Sequence, residues 1–498
     1  MPVMPPTWRV PFFWAKVDAS QAGSPQTDKR TLIMGPMLPA GSAAADTLVQ
    51  IGAADAGAVA FGRGSVLARM IHAYRQNDPY GELWCIGLAN SGTDAAGTIT
   101  FSGPATGDGE IALYIAGQKV TIPVEDTDTD NDIAVAAQAE INALDDLPVD
   151  AGAPTVGALP LTAKNGGPQG DDIDLRVNYY GAIGGEELPA GVGVAITTPM
   201  AGGATPPTLT AAIAAMGDEP FDYIIHPWDD ATSLGAIADE LDDNTGRWSE
   251  LRQIYGHSFY AQRNTVSLLS TFGNTKNDQH ATCFGFYDAP SPQWEWSAAH
   301  VGQVAPSANQ LASQPFQFLP VYGLLSPPIG AGRFDAVERN TLLHDGIAVS
   351  TVAADGTVQI DRVITTYQKL PSGSSDDSML DFNTMATLTE IARSLRTAVE
   401  TTLSRHVLVD DGVRVNANLP IASPKIARGV IIASYADLIA RGLAENMDAF
   451  KANLVVERST TDPNRLNVLY GPDLANQLRI FDVLMQFRLQ YPPGAPTA

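Results

Sequence analysis

Cysteine is almost absent from this sequence: Cys85 and Cys283 are the only two among 498 residues. They stand far apart in apolar stretches. That excludes a disulfide framework and reads as two buried thiols in a reducing compartment. Positive charge is also scarce, with 30 Lys and Arg against 55 Asp and Glu, a formal charge of −25. Nucleic-acid backbones and anionic membranes are held by clustered Lys and Arg, so neither is expected as a direct partner. The acidic balance favours solubility at high copy number. No run of about 18 apolar residues occurs, so no segment reads as a transmembrane helix. The start, Met1-Pro2-Val3-Met4-Pro5-Pro6, has neither the basic region nor the apolar run of an export signal.

The motifs of common chemistry are missing too. There is no G-x-x-x-x-G-K-[ST] loop and no G-x-S-x-G elbow. Gly62-Arg63-Gly64 lacks the third glycine of a dinucleotide fingerprint. The seven histidines, His72, His226, His257, His280, His300, His344 and His406, form no H-E-x-x-H and pair with no cysteine at zinc spacing. Each reads as a structural or surface residue. Asp126-Thr127-Asp128-Thr129-Asp130-Asn131-Asp132 imitates the start of a calcium loop. It places Asn131 where glycine is needed and Ala137 where a bidentate glutamate is needed. It reads instead as a solvated turn capping a helix at Ile133. Trp294 and Trp296, like Trp228, read as anchors of a helix start or of a subunit contact. No catalytic, cofactor-binding or metal-ligating residue is expected, and no enzyme.

What the chain does have is uneven charge and clear periodicity. Between Thr93 and Thr205 stand 17 acidic and 3 basic residues, a net of −14 out of −25. From Ala331 onward 19 acidic and 16 basic residues leave only −3. The acidic stretch, rich in Gly, Ala, Thr and Asp, reads as a separate inserted α+β domain, rich in strands, over residues 93–205. On either side lies an alternation of strands and helices. Ser65–Gln76 is a helix with Val66, Leu67, Met70, Ile71 and Tyr74 on one face. Leu83–Leu88, Phe221–Ile225, Gln253–Tyr260 and Ala281–Tyr287 read as strands. Leu209–Met216, Ser233–Leu241, Thr265–Phe272 and Trp294–Val304 read as helices. The alternation predicts a mostly parallel sheet with helices on both faces, a central α/β domain of residues 26–92 plus 206–330. Past Pro327-Pro328 the pattern changes to an α+β C-terminal domain, residues 331–475. It holds a hairpin around Ala353-Ala354-Asp355-Gly356, a long helix over Thr384–Leu403, another over Ile426–Leu443, and strands at Leu454–Arg458 and Leu466–Tyr470.

Each end carries an apolar strand outside any domain body. Residues 1–25 form an N-terminal arm whose apolar residues are Val10, Phe12, Phe13, Trp14 and Val17. Residues 476–498 form a C-terminal arm in which Phe481, Val483, Met485, Phe487 and Leu489 alternate onto one face. Such strands expose apolar side chains and unpaired backbone unless something pairs with them. Two outcomes remain open: pairing at an edge of the same molecule, or donation to a neighbouring subunit. Arg393, Arg396 and Arg405 on the long helix, with Lys425 and Arg428 at the start of the next, are the candidates for a basic contact surface.

Several stretches carry a family resemblance. They are Phe61-Gly62-Arg63-Gly64-Ser65, Asp172-Ile173-Asp174-Leu175-Arg176-Val177-Asn178-Tyr179-Tyr180, Leu343-His344-Asp345-Gly346-Ile347, Ile364-Thr365-Thr366-Tyr367-Gln368, Asn446-Met447-Asp448-Ala449-Phe450-Lys451 and Asp462-Pro463-Asn464-Arg465-Leu466. With these the chain resembles, nearly end to end, the Mu-like tail sheath proteins of contractile bacteriophages. The resemblance implies a structural subunit of the virion, assembled in the host cytoplasm. Copies stack as six-fold rings around a tail tube in a metastable extended state, and contraction drives the tube through the host envelope. The implied partners are other copies, the tube protein, the baseplate and the tail terminator. Arg393, Arg396, Lys425 and Arg428 become candidates for facing the tube. The resemblance also implies a subtilisin-like topology for the central domain. This chain lacks Asp-Thr-Gly, His-Gly-Thr-His and Gly-Thr-Ser-Met peptides, so protease chemistry does not follow. The competing readings are a hydrolase of that fold and a capsid or surface-array protein of another kind.

Overall fold

A computed structural model describes residues 29–330, 332–414, 416 and 419–489. The chain enters through strand β1 (Thr31–Pro36) and β2 (Leu48–Gln50), helices α1 (Ala54–Phe61) and α2 (Val66–Arg75), and strand β3 (Leu83–Leu88). The acidic insertion follows, with β4 (Asp94–Ser102), β5 (Gly109–Ile115), β6 (Gln118–Val124), α3 (Asp130–Ala143), β7 (Val149–Ala151), β8 (Ala158–Gly166), β9 (Leu175–Val177) and β10 (Gly193–Ala201). Then come α4 (Thr210–Met216), β11 (Tyr223–Ile225), α5 (Ala231–Leu241), β12 (His257–Arg263), α6 (Val266–Gly273), β13 (Ala281–Phe286) and α7 (Gln293–Gln310). After β14 (Pro320–Val321) and α8 (Ala336–His344), β15 (Ala348–Val352) and β16 (Val358–Arg362) form the hairpin. The remainder is α9 (Phe382–Leu403), a short pair β17 (Val407–Leu408) and β18 (Ile421–Ala422), α10 (Pro424–Ala440), α11 (Met447–Asn453), and β19 (Val455–Arg458) with β20 (Leu466–Leu469).

The large sheet has nine strands in the order β14-β16-β15-β13-β12-β11-β1-β3-β2. From β3 to β15 neighbouring strands run parallel. Parallel strands must be covered on both faces. Accordingly β1 and β13 are buried along their whole length. Alternation sorts the two layers. Ile33, Cys85, Ile225, Phe259 and Phe284 face α2 and α7. Leu32, Met34, Ile86, Leu88 and Ile224 face α4 and α5. Tyr260 and Cys283 face α6 and α8. This is a mixed α/β chain of several units, and the alternating elements read from periodicity are present in that order.

Three expectations change. The hairpin β15–β16 was assigned to the C-terminal unit beginning at residue 331. It pairs instead with β13, Phe284 opposite Ala348 and Gly285 opposite Val349, so the large sheet runs past that boundary. Composition signals a hairpin well but says nothing of which sheet accepts it. The helix expected to end at Val304 continues through Pro306 to Gln310. Proline removes one backbone donor, yet Ala305 and Ala308 on either side stay buried and hold the turn. The strand expected in the C-terminal arm joins no ladder among its described residues, 476–489.

The insertion folds as two sheets, β10-β4-β8-β7 and β6-β5-β9, with α3 beside them. Its neck closes where Thr93 bridges Ala204. The calcium-like acidic run is a helix start. Thr129 caps α3, and Asp132 completes a reciprocal capping box, so the helix begins three residues before Ile133. The insertion shares a continuous apolar core with the α2–α7 layer. Polar contacts lock the junction. Arg69 of α2 pairs with Glu295 of α7 at 2.5 Å and donates to the insertion's Ala116 and Asp146 carbonyls at 2.9 and 3.0 Å. Arg263 of β12 pairs with the insertion's Asp172 at 2.6 Å, and that carboxylate accepts the first backbone N–H of α7, from Gln293. Asn165 accepts the Val66 N–H at 2.9 Å and so caps α2. Removing one member of such a buried pair leaves an uncompensated charge, a loss of about 3–5 kcal/mol.

Candidate assembly interface

The C-terminal unit grows from the apolar stripes of two helices. Ile391 of α9 packs with Ile431, Tyr435 and Leu438 of α10. Phe450 of α11 stacks on Tyr435 with ring centroids 3.6 Å apart. The chain turns into α11 at Asn446, whose φ of 54° is left-handed, a conformation asparagine tolerates better than most residues. The Tyr435 hydroxyl donates to the Glu445 carbonyl at 2.7 Å and accepts the Asp473 N–H at 3.0 Å. That bond and the bridge between Ala444 and Leu474 pin the start of the C-terminal segment to the helices.

Strands β19 and β20 form a two-stranded antiparallel hairpin, Val455 opposite Leu469 and Arg458 opposite Leu466. Val456 packs toward α10, while Val455, Val468 and Leu469 are exposed. A lone two-stranded hairpin is marginal in water, and its outer edges offer unpaired N–H and C=O groups.

Past the hairpin, Arg479 ties the segment to the body. Its guanidinium meets Asp381 at 2.9 Å and Asn383 at 3.1 Å, and its carbonyl accepts from Gln317 at 3.2 Å. Beyond it the large apolar side chains of the described residues are exposed. Phe481 is 81 % exposed, Val483 60 %, Met485 82 %, Phe487 80 % and Leu489 97 %. Apolar residues of this size are rarely left in water as a contiguous run, and such a run marks an interaction site. The N-terminal counterparts, Val10, Phe12, Phe13, Trp14 and Val17, lie outside the described residues.

The four basic candidates divide. Arg393 is committed internally, 2.5 Å from Asp222 with its guanidinium over the Tyr255 ring. Arg428 clamps the carbonyls of Lys451 and Leu454 and so ties α10 to α11. Arg396 is half exposed and paired with Glu400 at 2.8 Å, and Lys425 is exposed at the head of α10. Arg393 and Arg428 read as surface charges from helical position alone, because their partners are distant in sequence.

The two cysteines and the rings of His226, His257 and His300 are packed away. Both cysteines are fully buried, and burial pushes both thiols up. Among the described residues no three His, Cys, Asp or Glu are gathered to hold a metal ion, and no helix is long and apolar enough to cross a membrane. His226 stacks between Trp228 and Tyr260, and burial lowers its pKa to about 3. Burial likewise lowers His300 to about 4 and drives His257 well down. The folded state holds these rings neutral, so the stability they contribute is intact above about pH 6.5 and is lost as pH falls toward their folded values. Asp172 acts in the opposite sense, because burial pushes its carboxyl up to about 6. Its penalty is relieved on acidification, so the net slope blends both. A variant isolates one ring. His226→Phe is expected to gain on the parent by about 1.4 kcal/mol per pH unit below about 6.5, read from urea unfolding at pH 7 and pH 5. An unchanged difference at the two pH values would show that His226 titrates alike in both states.

Two features leave no local signal in the sequence. The open hairpin edge needed the register of β19 and β20, and the Arg479 attachment joins residues nearly a hundred positions apart. Comparison with known proteins follows the same geography. A family model described as the phage tail sheath protein central domain matches residues 202–366, and one described as the phage tail sheath C-terminal domain matches residues 374–488. The Mu-like prophage FluMu tail sheath protein of Haemophilus influenzae is 36 % identical over 492 residues, 98 % of this chain and 99 % of that one. The crystal structure of a sheath tail protein from Desulfitobacterium hafniense aligns with a TM-score of 0.49 at 14 % identity, over 95 % of this chain and 97 % of that one. A sheath tail protein from Listeria innocua aligns with a TM-score of 0.47 at 13 % identity, over 90 % and 92 %.

Proposed function

Because the chain belongs to the phage tail sheath family, we propose that it polymerises through its terminal arms into stacked six-fold rings around a tail tube. It is a structural protein of the phage tail, not an enzyme. The observation that carries the arm reading is the exposed, alternating segment beyond Arg479 set against a hairpin with open edges. An alternating segment that joins no ladder among the described residues and a hairpin edge that has no neighbouring strand among them complete one another between copies. The hairpin β19–β20 of one subunit thus accepts the arm of another, and the N-terminal arm adds to the same mesh.

The layout follows. Residues 29–92 and 205–381 form the central body, 93–204 the insertion and 382–475 the C-terminal unit, with arms at either end. The parallel run with helices on both faces supports a subtilisin-like topology for the body. The net −14 of the insertion favours an outer, solvated position, and its locked junction makes it move with the body. Arg396 and Lys425 are the basic residues left to meet the tube, with baseplate and terminator at the two ends of the stack.

Contraction needs no nucleotide site on this reading. Heterologous contacts that do not close on themselves generate helical assemblies. A lattice trapped in a high-energy arrangement is a store of free energy, released when rigid bodies exchange one set of contacts for a better one. Arms that stay engaged keep neighbours at high effective concentration while the bodies move. Negative-stain microscopy of the purified protein is expected to show hollow tubes. Flat arrays would favour a surface-layer protein instead, and dispersed particles at every concentration would count against self-assembly.

A further inference from the structure

Arg479 lies where three parts of the molecule meet. Asp381, its partner at 2.9 Å, also binds Arg362 of β16 through two bonds of 2.9 Å, and Asp381 stands immediately before α9. Asn383, which accepts from Arg479 at 3.1 Å, donates to the Ala312 and Gln314 carbonyls at 2.9 and 2.8 Å. The large sheet, the long helix and the loop after α7 therefore converge on one side chain. That side chain is only 14 % exposed, and Asp381 is 15 % exposed. Burial of two arginines around one carboxylate is costly, and desolvation lowers the pKa of Arg479. The surface charges of this chain carry no such cost, so a fixed position here serves something beyond solubility.

The neighbours on either side locate that use. Before Arg479, the chain is tied down at Leu474 and Ala475. After it, Ile480 is 83 % exposed, and the large apolar side chains from Phe481 to Leu489 are exposed as well. We propose that Arg479 is a positioning residue for assembly: it sets the point and direction at which the C-terminal arm leaves the body, so that the arm meets its acceptor in another copy. This rests on the arm reading above. Without it, the attachment retreats to Ala475, and residues 476–479 add about 13 Å of slack to residues 480–498, which span about 63 Å when extended. A longer, undirected tether lowers effective concentration and leaves strand register less specified.

The test uses the full chain. Arg479→Met keeps the length and removes the charge, Arg479→Lys keeps the charge, and a truncation before Phe481 removes the arm. Polymerisation is followed by sedimentation over a concentration series, alongside thermal unfolding of the depolymerised subunit. Arg479→Met is expected to raise the concentration needed for assembly about tenfold or more, with Arg479→Lys restoring part of it. The added slack is also expected to give tubes of irregular diameter in micrographs. Assembly of Arg479→Met at the parental concentration, into regular tubes, would overturn the inference while leaving the arm reading intact if the truncation still blocks assembly. If the truncation assembles normally, the arm reading itself falls. A loss of assembly matched by an equal loss with a variant of the same lowered melting temperature at the insertion junction, Arg69→Met, would reassign Arg479 to folding alone.

Discussion

Ending the chain before Phe481 is expected to yield a soluble, folded subunit that forms no tubes at concentrations where the parent is fully polymerised. From Phe481 to Leu489 the large apolar side chains of the segment removed are 60 % to 97 % exposed and lie outside the core. The truncation should therefore leave thermal stability within about 0.5 kcal/mol of the parent, the range of surface changes away from any structural feature. Its effect on assembly should be complete, because on the proposed pairing the deleted strand gives both backbone hydrogen bonds and apolar contacts to another copy. Circular dichroism melts and electron micrographs of the same preparation separate the two outcomes. Tubes of normal appearance from the truncated chain would remove the arm from the assembly account.

The second large effect is specific to one face. Val483 and Phe487 lie on the all-apolar side of the arm, whereas Asp482, Gln486 and Arg488 lie on the other. A strand with one buried face tolerates charge only on the opposite face. Val483→Glu combined with Phe487→Glu is expected to abolish tubes as fully as truncation does. Gln486→Glu, adding one charge to the mixed face, should change the assembly concentration less than threefold. Equal sensitivity of both faces would indicate a fully enclosed strand. Equal tolerance would indicate that the arm does not pair as a strand.

The sequence carried more of the architecture than of the interface. Alternation of apolar strands with amphipathic helices placed α2, β3, β13 and α9 within a few residues of their observed ends, because each buries a face whose period the chain must display. The acidic composition marked the insertion. Strand β1 escaped notice because a six-residue apolar run, Thr31–Pro36, shows no period when both faces are covered. The hairpin β15–β16 was seen as a hairpin but placed in the wrong unit, since turn chemistry is local and sheet membership is not. The arm's apolar alternation is visible in the sequence, but it joins no ladder among the described residues, and pairing is a property that no single segment encodes. Arg393 and Arg428 looked like surface charges. Their partners, Asp222 and the α11 carbonyls, come from other elements.

The claim on which the rest depends is that the C-terminal arm of one copy completes the β19–β20 hairpin of another. A photo-crosslinking phenylalanine analogue at position 487, in tubes grown from a mixture of isotopically light and heavy chains, reads this directly. The account predicts crosslinks between light and heavy chains that map to residues 455–469. Crosslinks confined to a single chain, joining position 487 to its own body, would contradict it.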